Sequence, residues 1–236
     1  MPDLNRRTLV MGGCVVTLSS AGLAGCIPSE APFAGAAGPL PVLASGRRTA
    51  ILSEDMYGPI DDEPFTVPAV DVSRIDPLFL RAKVDYATAE PAGTIVIDPG
   101  EKHLYQVLEG GRATRYGIGV GREGFGWSGT ATIREKREWP DWYPPKEMIQ
   151  RQPEIRRQLT DLEGGLGMPG GPRNPLGARA MYLWQNNKDT LYRIHGTFEP
   201  HTIGKNVSSG CIRMINQDAI DLYSHTEPGT KVVVLA

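Results

Sequence analysis

The chain has 236 residues, 40% of them hydrophobic, and a formal net charge of −2. That is room for one domain of ordinary size with appendages, and enough apolar content for a sizeable core. The near-neutral balance, without a lysine or arginine stripe, excludes an electrostatic footprint for nucleic acid, and 20 prolines with 28 glycines speak for many turns and short strands rather than a helical bundle.

The first segment is for targeting. Arg6 and Arg7 form a basic start, and Thr8 to Gly25 is an apolar, small-residue stretch ending in Leu23-Ala24-Gly25-Cys26. This end resembles a bacterial lipobox, which implies removal of residues 1–25 and a diacylglyceryl group on Cys26. Asn5 to Val10 resembles a twin-arginine export signal, with the general secretory route as the alternative. A membrane-spanning reading is weaker, because the run barely reaches the ~20 apolar residues needed and contains Gly12, Gly13, Ser19, Ser20 and Gly22. Ile27, not Asp, follows Cys26. By resemblance to enteric sorting rules this favours the outer membrane, facing the periplasm. Residues 26–48, rich in Ala, Gly, Pro and Ser, read as a lipidated flexible tether.

Residues 49–89 read as an extension that straps onto the main domain. Val72 to Arg81 is expected to hold a short helix with Ser73 or Asp76 as cap and Pro77 in its first turn. From Gly93 the pattern changes to strands. Thr94–Asp98 and His103–Leu108 are strands, Gly110-Gly111 is a hairpin turn, and Ala113–Val120 and Thr130–Arg137 are further strands. Hairpin links between consecutive strands argue for an antiparallel sheet. Lys146 to Leu162 has helical stretches broken by Pro153, and Gly164 to Gly177 reads as a long loop that acts as lid or cleft wall. Two more strands, Ala178–Gln185 and Thr190–Ile194, follow. Asn216 is expected to cap a helix running to about His225, and Thr230–Leu235 is apolar enough for a central strand. The domain is therefore mostly β with one or two short helices.

Removal of Cys14 with the signal and lipidation of Cys26 would leave Cys211 as the only cysteine thiol of the exported chain, with no second cysteine to bond. Retention of such a thiol in an oxidising compartment asks for a reason. A cysteine nucleophile needs a base and donors for the developing oxyanion. His195 ends a strand, and the fifteen residues between it and Cys211 are enough for the chain to return. The carbonyl of Gly196 is placed to orient the imidazole in place of a carboxylate. Gly210 lets the N–H groups of 210 and 211 turn toward a substrate oxygen, and Arg213 is a clamp for a carboxylate or peptide carbonyl. No closed set of ligands stands at metal spacing. His103, in an exposed-looking hairpin, and His225, near a helix C-terminus, need no function.

His195-Gly196-Thr197, Ile203-Gly204, Ser208-Ser209-Gly210-Cys211-Ile212-Arg213-Met214, Asn216 and Asp218 together resemble the signature of the L,D-transpeptidase family, the YkuD or ErfK/YbiS/YcfS/YnhG domain. The resemblance covers residues 90–236 and includes Trp139–Pro145 and Gly167–Pro172 with Asn174–Gly177. It implies a β-sandwich-like catalytic fold acting on peptidoglycan stem peptides without metal or cofactor. It implies Cys211 as nucleophile, His195 as its base, Gly196 as orienting carbonyl, Ser209 and Gly210 beside the oxyanion, and Arg213 as substrate contact. Ser209 departs from the pattern, since many members carry a second histidine there. Acyl acceptors implied are a second stem peptide, a protein such as an outer-membrane protein, or water, the last giving L,D-carboxypeptidase activity; carbapenems are implied as covalent inhibitors. A papain-like or sortase-like thiol peptidase is the second reading, disfavoured by the His-then-Cys order. A non-catalytic wall-binding lipoprotein is the third.

Overall fold

The computed structural model describes residues 56–121, 127–208 and 210–236. The expected signal, Cys26, the tether and Ser209 lie outside these residues. Nine strands form one sheet: β1 (Ala82–Asp85), β2 (Ile95–Asp98), β3 (His103–Leu108), β4 (Arg112–Gly117), β5 (Gly129–Glu138), β6 (Arg179–Gln185), β7 (Lys188–His195), β8 (Ile212–Arg213) and β9 (Lys231–Val234). Their order across the sheet is β8-β7-β6-β5-β9-β2-β3-β4-β1. Among the described residues the helices are short: α1 (Lys146–Arg151) and α2 (Asn216–Ser224), with 3-10 segments of three to six residues elsewhere.

The strands follow from residue type. Ile95, Ile97, Ala131, Ile133, Met181, Leu183, Val232 and Val234 alternate toward one face and are at most 2% exposed. Ala219 and Leu222 of α2 close the same core. Each large aliphatic side chain buried this way contributes about 1.5–3 kcal/mol. Tight turns are marked by residues that tolerate positive φ: Gly110 and Gly111 (72° and 71°), and Asn186 and Asn187 (50° and 61°) between β6 and β7.

Pairing differs from the expected antiparallel sheet. β2, β3 and β4 do form an antiparallel meander, but β5 does not continue it. The last strand, β9, inserts between β2 and β5, parallel to the first and antiparallel to the second. A strand apolar on both sides is suited to that central place. β7 and β8 are also parallel, so the sheet is mixed. It folds back on itself as well: Gly119, just beyond β4, bridges to Arg213 in β8 at the other end of the strand order. That return lets Tyr116 and Ile212 share one core.

The segment after α1 corrects the loop expectation in its first part only, since Pro175 and Leu176 further along do line a groove. Thr160–Leu162 and Gly165–Gly167 pair as a small hairpin, and Trp142 bridges to Met168 beneath it. The helix expected at 72–81 is instead two 3-10 turns, Val72–Arg74 and Pro77–Phe79, capped by Asp71 and Asp76. Pro77 opens the second turn as expected.

Residues 56–85 pack closely on the sheet domain. Phe79 sits so tightly on Gly117 and Gly204 that added Cβ atoms there would lie 2.2 and 2.4 Å from it. His103, expected to be exposed, is 9% exposed, because this segment covers it and the Leu78 carbonyl meets its Nε2 at 3.0 Å. At α2 the same segment forms a buried polar latch. Tyr57 Oη donates to Asp218 Oδ2 at 3.1 Å and accepts from the Arg81 backbone N–H at 2.7 Å. The Arg81 guanidinium reaches Asp218 at 3.5 Å and also pairs with Asp221, whose carboxylate accepts from Tyr116 Oη at 2.7 Å. Asp218 is fully buried. Burial outweighs Arg81 and Tyr57 and raises its pKa to about 7.

Candidate active site

His195 is the last residue of β7, and parallel pairing with β8 sets it opposite Arg213. Met214 N–H donates to the His195 carbonyl at 2.8 Å. The fifteen-residue excursion thus returns Cys211, which immediately precedes β8, to the strand that carries His195. Both line a groove of about 370 Å³ together with Gly210, Arg213, Trp142 and Met148.

His195 is 3% exposed. Its Nδ1 donates to the Gly196 carbonyl at 2.6 Å, an arrangement that assigns the proton to Nδ1 and leaves Nε2 as acceptor. Burial lowers its pKa to about 4, against the raising effect of the Gly196 carbonyl and with help from Arg213 and Arg193. At neutral pH it is an uncharged base. Gly196 is tightly held from behind, where a Cβ would fall 2.1 Å from Asn216 Oδ1. That oxygen also accepts from the Ala178 N–H at 3.0 Å. Asn216 is therefore the first residue of α2 and not its expected cap. Its side chain satisfies a buried amide before β6 instead of its own helix.

Cys211 is half-buried and is in no disulfide among the described residues. Burial pushes its thiol up, while the Arg193 backbone N–H and the charges of Arg193 and Arg213 draw it down. The resting pair is thus thiol and neutral imidazole, and the proton moves only when a substrate arrives. Gly210 has φ 123°, a region natural to glycine, and a Cβ there would lie 3.1 Å from the Tyr192 ring. Arg213 is half-buried, with Nη1 3.4 Å from Glu199 Oε2. Its Nε is buried without a hydrogen-bond partner among the described residues, which leaves a donor for an incoming oxygen.

Three features of this neighbourhood escape sequence reading: the Glu199 partner of Arg213, the groove-wall side chain of Met148, and an irregular stretch of β7 at Asp189–Arg193. Only the Asp189 side chain followed by a backbone N–H two residues on carried a signal, that of a local Asx turn. His201 is exposed on a 3-10 turn and is not among the groove-lining residues, and His225 is exposed near the end of α2 with its Nδ1 2.8 Å from the Asp221 carbonyl.

Known proteins give the same outline. Relatives include the probable L,D-transpeptidases ErfK/SrfK of Escherichia coli K12, 32% identical over 60% of this chain and 43% of the relative, and YcfS of the same strain, 34% identical over 61% and 44%. The chain spans less than half the length of these curated relatives. A crystal structure from Brucella melitensis, described as a probable carnitine operon oxidoreductase, shares 52% identity over 70% of this chain and 99% of its own, with a TM-score of 0.46; that description concerns that protein alone. The family model for the L,D-transpeptidase catalytic domain matches residues 92–234, which contain the whole groove, and on that match the chain belongs to the YkuD family.

Proposed function

We propose that this chain is an exported peptidoglycan L,D-transpeptidase with Cys211 as nucleophile and His195 as base. The observation that carries the reading is the buried His195 with Nδ1 fixed on the Gly196 carbonyl at 2.6 Å, in one groove with Cys211 and Arg213. His195 Nε2 takes the thiol proton as sulfur attacks the carbonyl between diaminopimelate and D-Ala of a tetrapeptide stem. The N–H groups at 210 and 211 serve the oxyanion. Arg213 offers its Nε to a substrate oxygen while Nη1 stays paired with Glu199. The proton on His195 passes to the leaving D-Ala amine, and a thioester remains on Cys211. An amine of a second stem peptide or of an outer-membrane protein then attacks the thioester and restores the thiol.

The remainder of the reading concerns delivery. Residues 1–25 act as a signal, lipid on Cys26 anchors the chain on the periplasmic side of the outer membrane, residues 26–48 are the tether, 49–89 the strap and 90–236 the catalytic domain. Incubation with a disaccharide-tetrapeptide and with a carbapenem, followed by mass spectrometry, tests the chemistry. The expected result is D-Ala loss with a cross-linked product, and a carbapenem adduct on Cys211. Absence of both sinks the reading, whereas D-Ala loss without a cross-link assigns water as acceptor. Metabolic labelling with a fatty acid that disappears in Cys26→Ala tests the anchor.

A further inference from the structure

β7 is irregular beside Cys211. Its register against β6 shifts so that Thr190, Leu191 and Tyr192 together face Leu183. Such a bulge bends a strand and re-aims what it carries. At its apex Leu191 has φ 63°, a left-handed conformation that costs a leucine about 1–2 kcal/mol. Its side chain is 76% exposed, so packing does not hold it there.

Asp189 does. Its Oδ1 accepts the Leu191 N–H at 2.8 Å, and its two oxygens meet the two terminal nitrogens of Arg193 at 2.7 Å each. One carboxylate ties residues 189, 191 and 193 across the bulge. The Arg193 guanidinium is anchored in turn over the Tyr182 ring, 4.3 Å from its centre. On the inner side, the Leu191 carbonyl lies 4.0 Å from Cys211 Sγ, and the Arg193 backbone N–H faces the same sulfur.

We propose that Asp189 is a positioning residue for Cys211, holding the left-handed turn that presents the Leu191 carbonyl to the thiol and the Arg193 N–H to the thiolate. It rests on the reading of Cys211 as nucleophile. Before reaction the carbonyl accepts the S–H. When the proton leaves for His195, the N–H supports the negative sulfur without any group having to move. Asp189 does not touch the sulfur: it acts through the backbone of Leu191, which lines the groove. Its charge by itself pushes the Cys211 thiol up, so loss of that charge alone would speed alkylation and only loss of the turn would slow it.

The test compares full-length wild type, Asp189→Ala, Asp189→Asn and the double variant Asp189→Ala/Leu191→Gly. Two quantities are read: the rate of Cys211 alkylation by iodoacetamide, and kcat and KM for D-Ala release. Asp189→Ala should slow alkylation about tenfold and lower kcat similarly, with KM within about twofold, as misplacement of a nucleophile does. Asn still accepts the Leu191 N–H and should recover most of the rate. Glycine at 191 adopts positive φ without the carboxylate, so the double variant should also recover the alkylation rate and kcat, whereas KM changes with loss of a groove-lining side chain. Unchanged alkylation in Asp189→Ala overturns the proposal, as does a loss that neither second variant recovers, the mark of general damage to β7. The expected alkylation pattern in a protein that never releases D-Ala would keep the positioning role and remove the transpeptidase reading.

Discussion

Helix α2 stands between two polar neighbourhoods that are built on opposite terms. Toward the groove, polar atoms are left with capacity to spare: His195 Nε2 is an acceptor, Arg213 Nε has no hydrogen-bond partner among the described residues, and Cys211 sits at the wall of an open groove. Toward the strap, Tyr57, Arg81, Asp218, Asp221 and Tyr116 bond one another in a chain. The first arrangement suits a site where a ligand completes the bonding. The second is a joint built of mutual bonds, in which Asp218 Oδ1 relies on the Arg81 ion pair at 3.5 Å and Gln217 Oε1 is buried without a hydrogen-bond partner among the described residues. One helix serves both, through Asn216 against Gly196 and through Gln217 and Asp218 against the strap. The Gln217 amide donates to the Gly58 and Pro68 carbonyls at 2.9 Å each.

If that division is right, removal of the nucleophile should separate activity from stability completely. Cys211→Ala is expected to abolish turnover, and Cys211→Ser to retain little of it because a hydroxyl ionises far less readily than a thiol. Neither should lower the urea midpoint appreciably, since Cys211 is half-buried and bears no part of the latch. Measurable D-Ala release by the alanine variant would identify the wrong nucleophile.

The latch should behave in the reverse way. Asp218→Ala leaves Tyr57 Oη without its acceptor and Arg81 with Asp221 as its remaining partner. A buried donor left without its partner typically costs about 1–3 kcal/mol. The loss is expected in that range, read from urea unfolding at pH 5, below the pKa of about 7 of Asp218, and it should shrink as pH rises toward 7. Activity per folded molecule should stay within a few-fold of wild type. A tenfold loss of kcat at full stability would mean that the strap acts on the groove directly.

A bridge between the two regions gives an intermediate effect. Gly177 has φ 64°, and a Cβ there would lie 2.2 Å from Asn216 Oδ1 and 2.6 Å from the Gly196 carbonyl carbon. Gly177→Ala should therefore destabilise by about 1–2 kcal/mol through strain and disturb the carbonyl that orients His195. A fall in kcat larger than the stability loss explains would show that α2 transmits packing to the base.

The sequence made much of this legible, and for physical reasons. Alternating β-branched runs gave β2, β3, β5 and β6 within a few residues of their ends, and the apolar TKVVVL run gave a central strand. The antiparallel expectation failed because insertion of β9 between β2 and β5 is a long-range pairing, invisible to local pattern. His103 looked exposed because nothing in its hairpin announces that Leu78 will cover it. Asn216 looked like a cap because its side chain suits one, and only the tertiary neighbour Ala178 N–H outbid the helix. Cys211, His195, Gly196, Gly210 and Arg213 were nominated from spacing and resemblance, and the structure brings them to one place. Leu191 could not be nominated, since leucine gives no sign of a positive φ. The buried state of Asp218 also had no signal, since its partners Tyr57 and Arg81 lie more than 130 positions away.

The gentlest test of the comparison is the pH dependence of stability, because both neighbourhoods bury a titratable group and desolvation moves the two in opposite directions. His195 falls from 6.5 to about 4 in the folded chain. Between those values the unfolded chain holds more protons at this site, so its contribution is fully present above pH 6.5 and is lost as pH falls toward 4. Asp218 rises from 3.8 to about 7. Between those values the folded chain holds more protons, so its contribution is present below pH 3.8 and is lost as pH rises through 7. Over pH 4–6.5 the two slopes oppose each other, and this pair alone leaves the wild type nearly flat there. Asp218→Asn removes one of them and keeps an oxygen for the Tyr57 hydroxyl. Its stability relative to wild type should then climb with pH from about 4 to 7, by at most about 1.4 kcal/mol per pH unit, and level off above. Urea midpoints across that range give the slope. A difference that stays constant with pH would mean that Arg81 keeps Asp218 ionised throughout, and the latch would then be an ordinary ion pair rather than a joint held by a protonated acid.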